Sequence, residues 1–167
     1  MNIHKNKNVK LGFHTKLIYQ ITAHHTELEI MKKVKQFFNN VGHVEHTPDG
    51  KYVSYRVYKT KDIINEIMPH FDRYPLQSTK LVYYALWCKS AQLVSNKSHL
   101  TEKGFSVLLT YKAAFTKKLG AEIFNNKLYK NIIPFDVECL VKSDNVSLDP
   151  NYIAGFTGAV PPPTPSR

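Results

Sequence analysis

Two segments of the chain alternate between apolar and polar residues, and this alternation constrains the fold more than any other feature. Between Lys10 and Thr22, one side carries the apolar residues Leu11, Phe13, Leu17, Tyr19 and Ile21, and the other carries His14, Lys16, Gln20 and Thr22. Successive side chains of a β-strand point to opposite faces, so this pattern predicts a half-buried strand. We therefore expect a basic, hydrogen-bonding outer face on it.

The second alternating segment runs from Lys51 to Tyr58. It sets Val53, Tyr55 and Val57 against Ser54, Arg56 and Tyr58, and it follows a Pro-Asp-Gly turn at 48–50. Such a turn between strand-like runs predicts a hairpin, again with a basic outer face. A short polar segment, Asn2 to Asn8, can pair with the first strand across a turn near Lys7.

Helical periodicity dominates the rest of the first 120 residues. Thr26 and Glu29 form a capping-box pattern before a helix from about Glu27 to Asn39. Further helices are predicted from Thr60 to Pro75 at the latest, from Ser78 or Thr79 onward, and from Thr101 to about Lys118. The core positions expected on the last two are Leu81, Tyr84, Ala85, Cys88, Leu93, Leu108, Leu109 and Phe115. This order predicts an α+β fold in which helices cover one face of an antiparallel sheet.

The charge distribution suggests what the uncovered face binds. The 167 residues carry a net charge of +10, and the first 61 hold 11 Lys or Arg against 4 Asp or Glu. A basic sheet face can present donors to base edges in the major groove and hold phosphates, which indicates a nucleic-acid partner. The alternative is a merely solvated sheet face. No stretch approaches the roughly 18 apolar residues of a membrane span, so no membrane partner is expected.

Other chemistry has little support in the sequence. His24, His25, His43 and His46 are candidates for a zinc site, but no cysteine has finger spacing, and we expect no metal there. The glycine-rich phosphate-binding motifs of nucleotide-dependent enzymes are absent from the sequence.

Several stretches in this order resemble the LAGLIDADG homing endonuclease family of intron-encoded proteins. The last of them, Leu148 to Thr157, resembles the start of a motif helix through Ile153, Ala154, Gly155 and Phe156. The others are FHTKLIYQITAHH at 13–25, KYVSYRVYKTKDI at 51–63, HFDRYPLQSTK at 70–80 and HLTEKGF at 99–105. The resemblance covers about residues 2–157 and implies a homing-endonuclease-like half with a DNA-binding sheet.

The sequence departs from the family pattern at both motifs. A repeat normally opens with its own motif helix, whereas Met1 stands about where the first strand starts. Val160 occupies the position of the metal-binding acid and is followed by three prolines, which cannot continue a helix. We therefore expect residues 1–140 to form a repeat without its motif helix, 141–157 to start a second motif, and 158–167 to be a disordered, proline-rich tail.

The resemblance implies an activity and a set of residues for it. Family members cleave both DNA strands with divalent ions such as Mg²⁺ held between two motif acids, and we expect this chain not to hold the ion. Lys80 resembles a family position near the scissile phosphates, although its alternative role is an exposed lysine in a helix's first turn. The expected DNA-binding residues are His14, Lys16, Gln20, Thr22, Ser54, Arg56 and Tyr58.

The sequence is compatible with three functions. The first is a homing endonuclease, or a remnant of one, that recognises a long duplex DNA site. The second is a maturase that binds intron RNA as a splicing cofactor, which the same family also produces. The third is an inactive remnant. The resemblance implies a mitochondrial location.

Overall fold

The computed structural model describes residues 1–77, 79–116, 129 and 132–133. Within this part, five strands form two antiparallel sheets. The strands are β1 (Asn2–Lys5), β2 (Phe13–Lys16), β3 (Tyr19–His24), β4 (His43–His46) and β5 (Tyr52–Val57). The first sheet pairs β1 with β2, and the second has the order β3-β5-β4, so β5 is its central strand. The predicted hairpin and the preceding β1 are both confirmed.

The single strand predicted between Lys10 and Thr22 is wrong, because the segment forms two strands. β2 pairs with β1, whereas β3 pairs with β5, and the chain changes partner at Leu17 and Ile18. Leu17 is 2% exposed and packs in the core at this junction. The alternation continues through the junction, so the same set of residues stays on each side.

Helices connect and cover the strands. They are α1 (Leu28–Phe37), α2 (Thr60–Asp62), α3 (Met68–Arg73), α4 (Thr79–Ser95) and α5 (Glu102–Thr116). A π-helical turn, Ile63–Ile67, joins α2 to α3 without a break, and 3₁₀ turns precede α1 and α5. The α+β class and the order of elements are therefore confirmed. Helices pack against one face of each sheet, and the other face points outward.

The starts of the helices differ from one another in how they are capped. The capping box predicted at Thr26 is wrong: a 3₁₀ turn, His25–Glu27, precedes α1, and its cap residue Glu27 makes no side-chain cap bond. The Thr26 hydroxyl instead lies 3.0 Å from Nδ1 of His24. At α5 the predicted start at Thr101 is confirmed to within one residue, and the backbone N–H of Gly104 donates to Oγ1 of Thr101 at 3.1 Å.

Pro69 explains the π-helical turn. Proline has no backbone N–H and its ring collides with the carbonyl four residues earlier in a regular helix. Widening the turn before it relieves this conflict, and the backbone N–H of Met68 accordingly donates to the carbonyl of Ile63, five residues back. The helix therefore continues past Pro69 to Arg73, in agreement with an end before Pro75.

The core lies between the sheets and the helices. Val53, Tyr55 and Val57 of β5 are fully buried and pack with Ile63 and Ile67. Phe13 of β2 packs separately against Phe105, Leu108, Leu109 and Tyr129. Leu108 and Leu109 are thus confirmed as core residues.

The buried face predicted for α4 is partly wrong. Leu81 is 43% exposed, and the buried residues of this helix are Leu86, Ser90 and Ala91. Ala91 packs in the core of the three-stranded sheet, while Leu86 packs against Ala114 of α5. Two neighbours on different sides therefore set the buried surface of α4.

The predicted boundaries near residues 140, 157 and 167 lie outside the described residues. The same holds for the motif residues Ile153, Ala154, Gly155 and Phe156, for Val160 and for the proline-rich tail.

Gly42 lies close against the backbone of β5. Replacing it with alanine is expected to destabilise the fold by about 2–4 kcal/mol. Its φ is +75°, and an added Cβ would lie 2.5 Å from the carbonyl oxygen of Arg56 and 2.8 Å from Cγ2 of Val57. The backbone of a central strand cannot yield to such a contact without losing ladder hydrogen bonds. Chemical denaturation measures the free energy of unfolding.

Gly50→Ala is the matched control for Gly42→Ala. Gly50 also has a positive φ, +69°, but an added Cβ would meet nothing within 4 Å. Its cost should be the backbone strain alone, about 1 kcal/mol. Equal losses for the two variants would contradict the close approach at Gly42.

Candidate nucleic-acid interface

The polar side chains of the strands share the side of the sheets that faces away from the helices. The buried partners in the alternation, such as Phe13, Val53 and Tyr55, pack in the two cores, so their neighbours in sequence point the other way. We call this surface the outer face. Its residues are His14, Lys16, Gln20, Thr22, His43, Glu45, Ser54, Arg56 and Tyr58.

The register brings the predicted residues of different strands side by side. Gln20 lies opposite Arg56, and Thr22 lies opposite Ser54, across the β3–β5 pairing. His43 lies opposite Arg56 on the other side of β5. The outer face thus contains the seven DNA-binding residues that the sequence suggested, and their role in binding DNA stays a prediction.

Exposure differs between these residues in a way that local alternation does not predict. His14, Lys16, Gln20 and Thr22 are exposed. Arg56 and Tyr58 are half-buried. Ser54 is fully buried at 0% exposure, although a solvent-facing side chain was expected. β5 is the central strand, so side chains of β3 and β4 flank its outer face and cover a residue as small as serine.

Hydrogen bonds order the part of the outer face around β3. The hydroxyls of Thr22 and Ser54 lie 2.9 Å apart, and Nε2 of Gln20 donates to Oγ1 of Thr22 at 2.8 Å. Ser54 therefore holds Thr22 rather than offering its own hydroxyl to a ligand. Gln20 and Thr22 present the donors and acceptors of this part of the surface.

A second group of contacts joins the two sheets. Nζ of Lys16, on β2, lies 4.1 Å from the ring centroid of Tyr58, which follows β5. The hydroxyl of Tyr58 donates to Oε1 of Glu45 at 2.9 Å, and Nη1 of Arg56 donates to the same oxygen at 2.5 Å. The outer faces of both sheets are therefore continuous at this point.

Charge is concentrated in this second group. The hydrogen bond from Tyr58 and the nearby Arg56 guanidinium lower the pKa of the Glu45 carboxyl from its ordinary value, so it is ionised at neutral pH. The bond with Tyr58 and the charge of Glu45 raise the pKa of Arg56, which stays a cation. Lys16, an exposed residue of β2, carries a second positive charge.

Sequence reasoning did not assign Glu45 or His43 to the outer face. The four residues of β4 are His-Val-Glu-His, and strand alternation alone predicts that His43 and Glu45 lie on the same side of this strand. Only the pairing register with β5 shows that His43 and Glu45 share a face with Arg56 and Ser54. His4 was also missed, and it lies opposite His14 in the β1–β2 pairing.

Lys80 lies exposed in the first turn of α4, as the sequence suggested for a helix start. The other residue of the suggested catalytic position, Val160, lies outside the described residues. A catalytic role for Lys80 therefore stays a prediction.

The described residues do not assemble a metal site. No group of three or more His, Cys, Asp or Glu side chains in this part of the chain could hold a metal ion. The rings of His24 and His25 are in contact, with centroids 4.2 Å apart, at the end of β3. His43 and His46 are on β4, and β5 separates the two strands. Within the same described part, no helix has the length and hydropathy to cross a membrane.

The comparisons with known proteins agree on one family. A family model described as LAGLIDADG endonuclease matches residues 1–91. The chain is 28% identical over 157 residues to "Probable intron-encoded endonuclease 3" of Neurospora crassa, covering 94% of the chain and 29% of that protein. It is 31% identical over 101 residues to an uncharacterised 50.9 kDa protein in ND4 intron 1 of Podospora anserina, covering 59% of the chain and 22% of that protein.

Solved structures give the same result for the fold. I-SmaMI bound to an uncleaved DNA target in the presence of calcium ions matches with a TM-score of 0.82 and 27% identity, over 93% of the chain and 51% of that chain. The homing endonuclease I-LtrWI bound to target DNA matches with a TM-score of 0.82 and 25% identity, over 94% and 51%. The chain thus spans less than a third of these two curated relatives and about half of these solved structures.

Proposed function

The chain belongs to the LAGLIDADG endonuclease family, and from this premise we propose that its outer face binds duplex DNA and reads base edges in the major groove. The observation that carries the proposal is the row of exposed hydrogen-bonding side chains along β2 and β3. His14, Lys16, Gln20 and Thr22 all stand on one face of consecutive strands. Phosphates and base edges are the ligands that such a basic, donor-rich row recognises.

The shape of this surface favours duplex DNA over duplex RNA. The major groove of B-DNA is about 12 Å wide and admits a two-stranded β-ribbon. The major groove of A-form RNA is deep and narrow, so the same ribbon cannot reach its bases. The pairing of β3 with β5 supplies a ribbon with Gln20, Thr22 and Arg56 on one face. Bound DNA in I-SmaMI and I-LtrWI supports the same choice.

Cleavage is the finer part of the function and requires more than the outer face. The family generally depends on divalent metal ions, which stabilise charge and activate water in phosphodiester hydrolysis. The described residues do not fit such an ion, because they contain no cluster that could hold it. We therefore assign no cleavage step to them and propose site-specific DNA binding as their contribution to intron homing.

Mg²⁺ and a mitochondrial location belong to the same proposal. The calcium ions in the I-SmaMI complex support a divalent ion in relatives of this chain. The intron-encoded endonucleases of Neurospora crassa and the ND4 intron protein of Podospora anserina support an organellar intron as the source.

Binding to duplex DNA is expected to weaken steeply with salt. Each phosphate neutralised by a lysine or arginine releases counterions, so the logarithm of affinity should fall linearly with the logarithm of salt concentration. For two to four phosphate contacts the slope is about −1.8 to −3.6, and affinity falls roughly 10- to 150-fold between 50 and 200 mM salt. Fluorescence anisotropy with a labelled duplex measures this dependence.

A duplex RNA of the same sequence is the control ligand. Phosphate attraction alone gives both ligands the same affinity, whereas groove reading favours DNA. No binding at low salt, or an affinity that salt does not change, would contradict the proposal. Stronger binding to RNA would instead favour the maturase function.

A further inference from the structure

Glu45 is out of place on a surface that binds a polyanion. It is the one carboxylate among the nine residues that define the outer face, and its side chain is 41% exposed. A negative charge near bound DNA repels phosphates and weakens attraction. Stability does not account for it either, because a partly exposed ion pair of this kind contributes about 0–1 kcal/mol.

The contacts of Glu45 show what its carboxylate does. One oxygen, Oε1, accepts from Arg56 Nη1 at 2.5 Å and from the Tyr58 hydroxyl at 2.9 Å. Arg56 and Tyr58 are two residues apart and share the outer face. Lys16 lies over the Tyr58 ring, so the carboxylate is connected to cations on both sheets. A flexible arginine is thereby held in one position.

The remaining donors of Arg56 are then well defined. Its Nε is buried and has no hydrogen-bond partner, and one hydrogen of Nη1 is used by Glu45. The guanidinium carries five N–H donors, and its bonds with Glu45 and Tyr58 leave donors for a ligand. Two donors on one planar edge match the N7 and O6 acceptors of guanine.

We propose that Glu45 is a specificity-determining positioning residue, which holds Arg56 toward a base edge and keeps it away from the phosphate backbone. This inference rests on the proposed function. It assigns the carboxylate a cost in total affinity and a gain in discrimination between sequences. An arginine without this partner would follow the nearest phosphate on any duplex.

Glu45→Gln is expected to separate affinity from specificity. Binding to random duplex DNA should strengthen about 3- to 10-fold at low salt, and the salt slope should steepen by about 0.9 because Arg56 gains a phosphate. The ratio of affinities for selected over random duplexes should fall roughly 10-fold as the guanine contact is lost. The selected duplexes come from rounds of binding to a randomised pool with the unmodified chain.

Two controls make the result specific to Glu45. Glu29→Gln removes the same charge from α1, where Glu29 pairs with Lys32 at 2.6 Å, and it should leave the ratio unchanged. In the Arg56→Ala background, Glu45→Gln should no longer change the ratio, because Glu45 acts through Arg56. Circular dichroism checks that each variant is folded.

The outcomes separate the two proposals. If the unmodified chain binds no duplex, the proposed function itself fails. If it selects a sequence and Glu45→Gln selects it equally well, the positioning role is overturned while DNA binding stands. An equal loss of the ratio with and without Arg56 also overturns the role.

Discussion

Replacing Lys16 or Arg56 with alanine is expected to weaken binding to duplex DNA by about 1–3 kcal/mol, which is roughly 5- to 150-fold, if either side chain reads a base edge. Arg56 is half-buried and held by Glu45, so it is pre-positioned for one contact. Lys16 is exposed on β2 and is steadied by the Tyr58 ring beneath it. The two variants test the two sheets of the outer face separately.

The salt slope distinguishes the kinds of contact that the two residues make. A lost phosphate contact reduces the slope by about 0.9 and weakens binding equally on all sequences. A lost base contact leaves the slope nearly unchanged and weakens binding to the selected sequence. Because Arg56 is held by its ion pair with Glu45, we expect the second result for Arg56→Ala. For Lys16→Ala, which removes the exposed amine over the Tyr58 ring, a reduced slope would identify a phosphate contact and an unchanged slope a base contact.

Lys89→Ala is the matched control for both variants. Lys89 is exposed on α4, on the helical side of the protein, so the substitution removes the same charge away from the outer face. Its affinity should stay within about twofold of the unmodified chain, since charges beyond about 10 Å are largely screened at 0.1 M salt. A loss as large as that of Lys16→Ala would show that binding depends on total charge alone.

Local pattern was sufficient to predict most of the outer face. Alternation at Phe13, His14, Lys16 and Gln20 depends only on strand geometry, and it survived the change of pairing partner at Leu17. The side of the strand on which each of these residues lies follows from the local sequence, without reference to its neighbours across the sheet. The strand faces were therefore predictable although the number of strands was not.

Pairing partners account for the parts that could not be predicted. Ser54 is buried because it lies on a central strand, and the central position of β5 follows from its pairing with β4 and with β3, whose residues lie 28 to 38 positions before their partners. Glu45 joins the outer face only through the register of β4 with β5. Neither fact is contained in the residues next to Ser54 or Glu45 in the sequence.

Competition between a local pattern and a tertiary contact explains the wrong helix start. Thr26 and Glu29 match a capping box, but the Thr26 hydroxyl contacts His24 and a 3₁₀ turn forms at His25–Glu27. The backbone N–H of His25 donates to the carbonyl of Lys51 at 3.0 Å, which ties this turn to the start of β5. A tertiary hydrogen bond thus competes with the local capping pattern.

Duplex DNA is expected to stay intact when the 167-residue chain binds it in the presence of Mg²⁺. The resemblance at 148–157 sets a valine, Val160, at the position of the metal-binding acid, and an apolar side chain offers no oxygen ligand to Mg²⁺. The described residues provide no cluster in its place. Metal ions contribute several kcal/mol to the barrier of such a hydrolysis, so cleavage should be slower by at least about 10³-fold.

Binding and cleavage must be measured on the same duplex, so that an intact duplex is known to be a bound one. The duplex selected by the chain is incubated with Mg²⁺ or with EDTA, and the samples are divided between a mobility-shift gel and a denaturing gel. A shifted but intact duplex in both conditions is the expected result. Double-strand breaks that require Mg²⁺ and disappear with Lys80→Ala would contradict it, because they would show that this chain holds the metal and that Lys80 acts at the scissile phosphates.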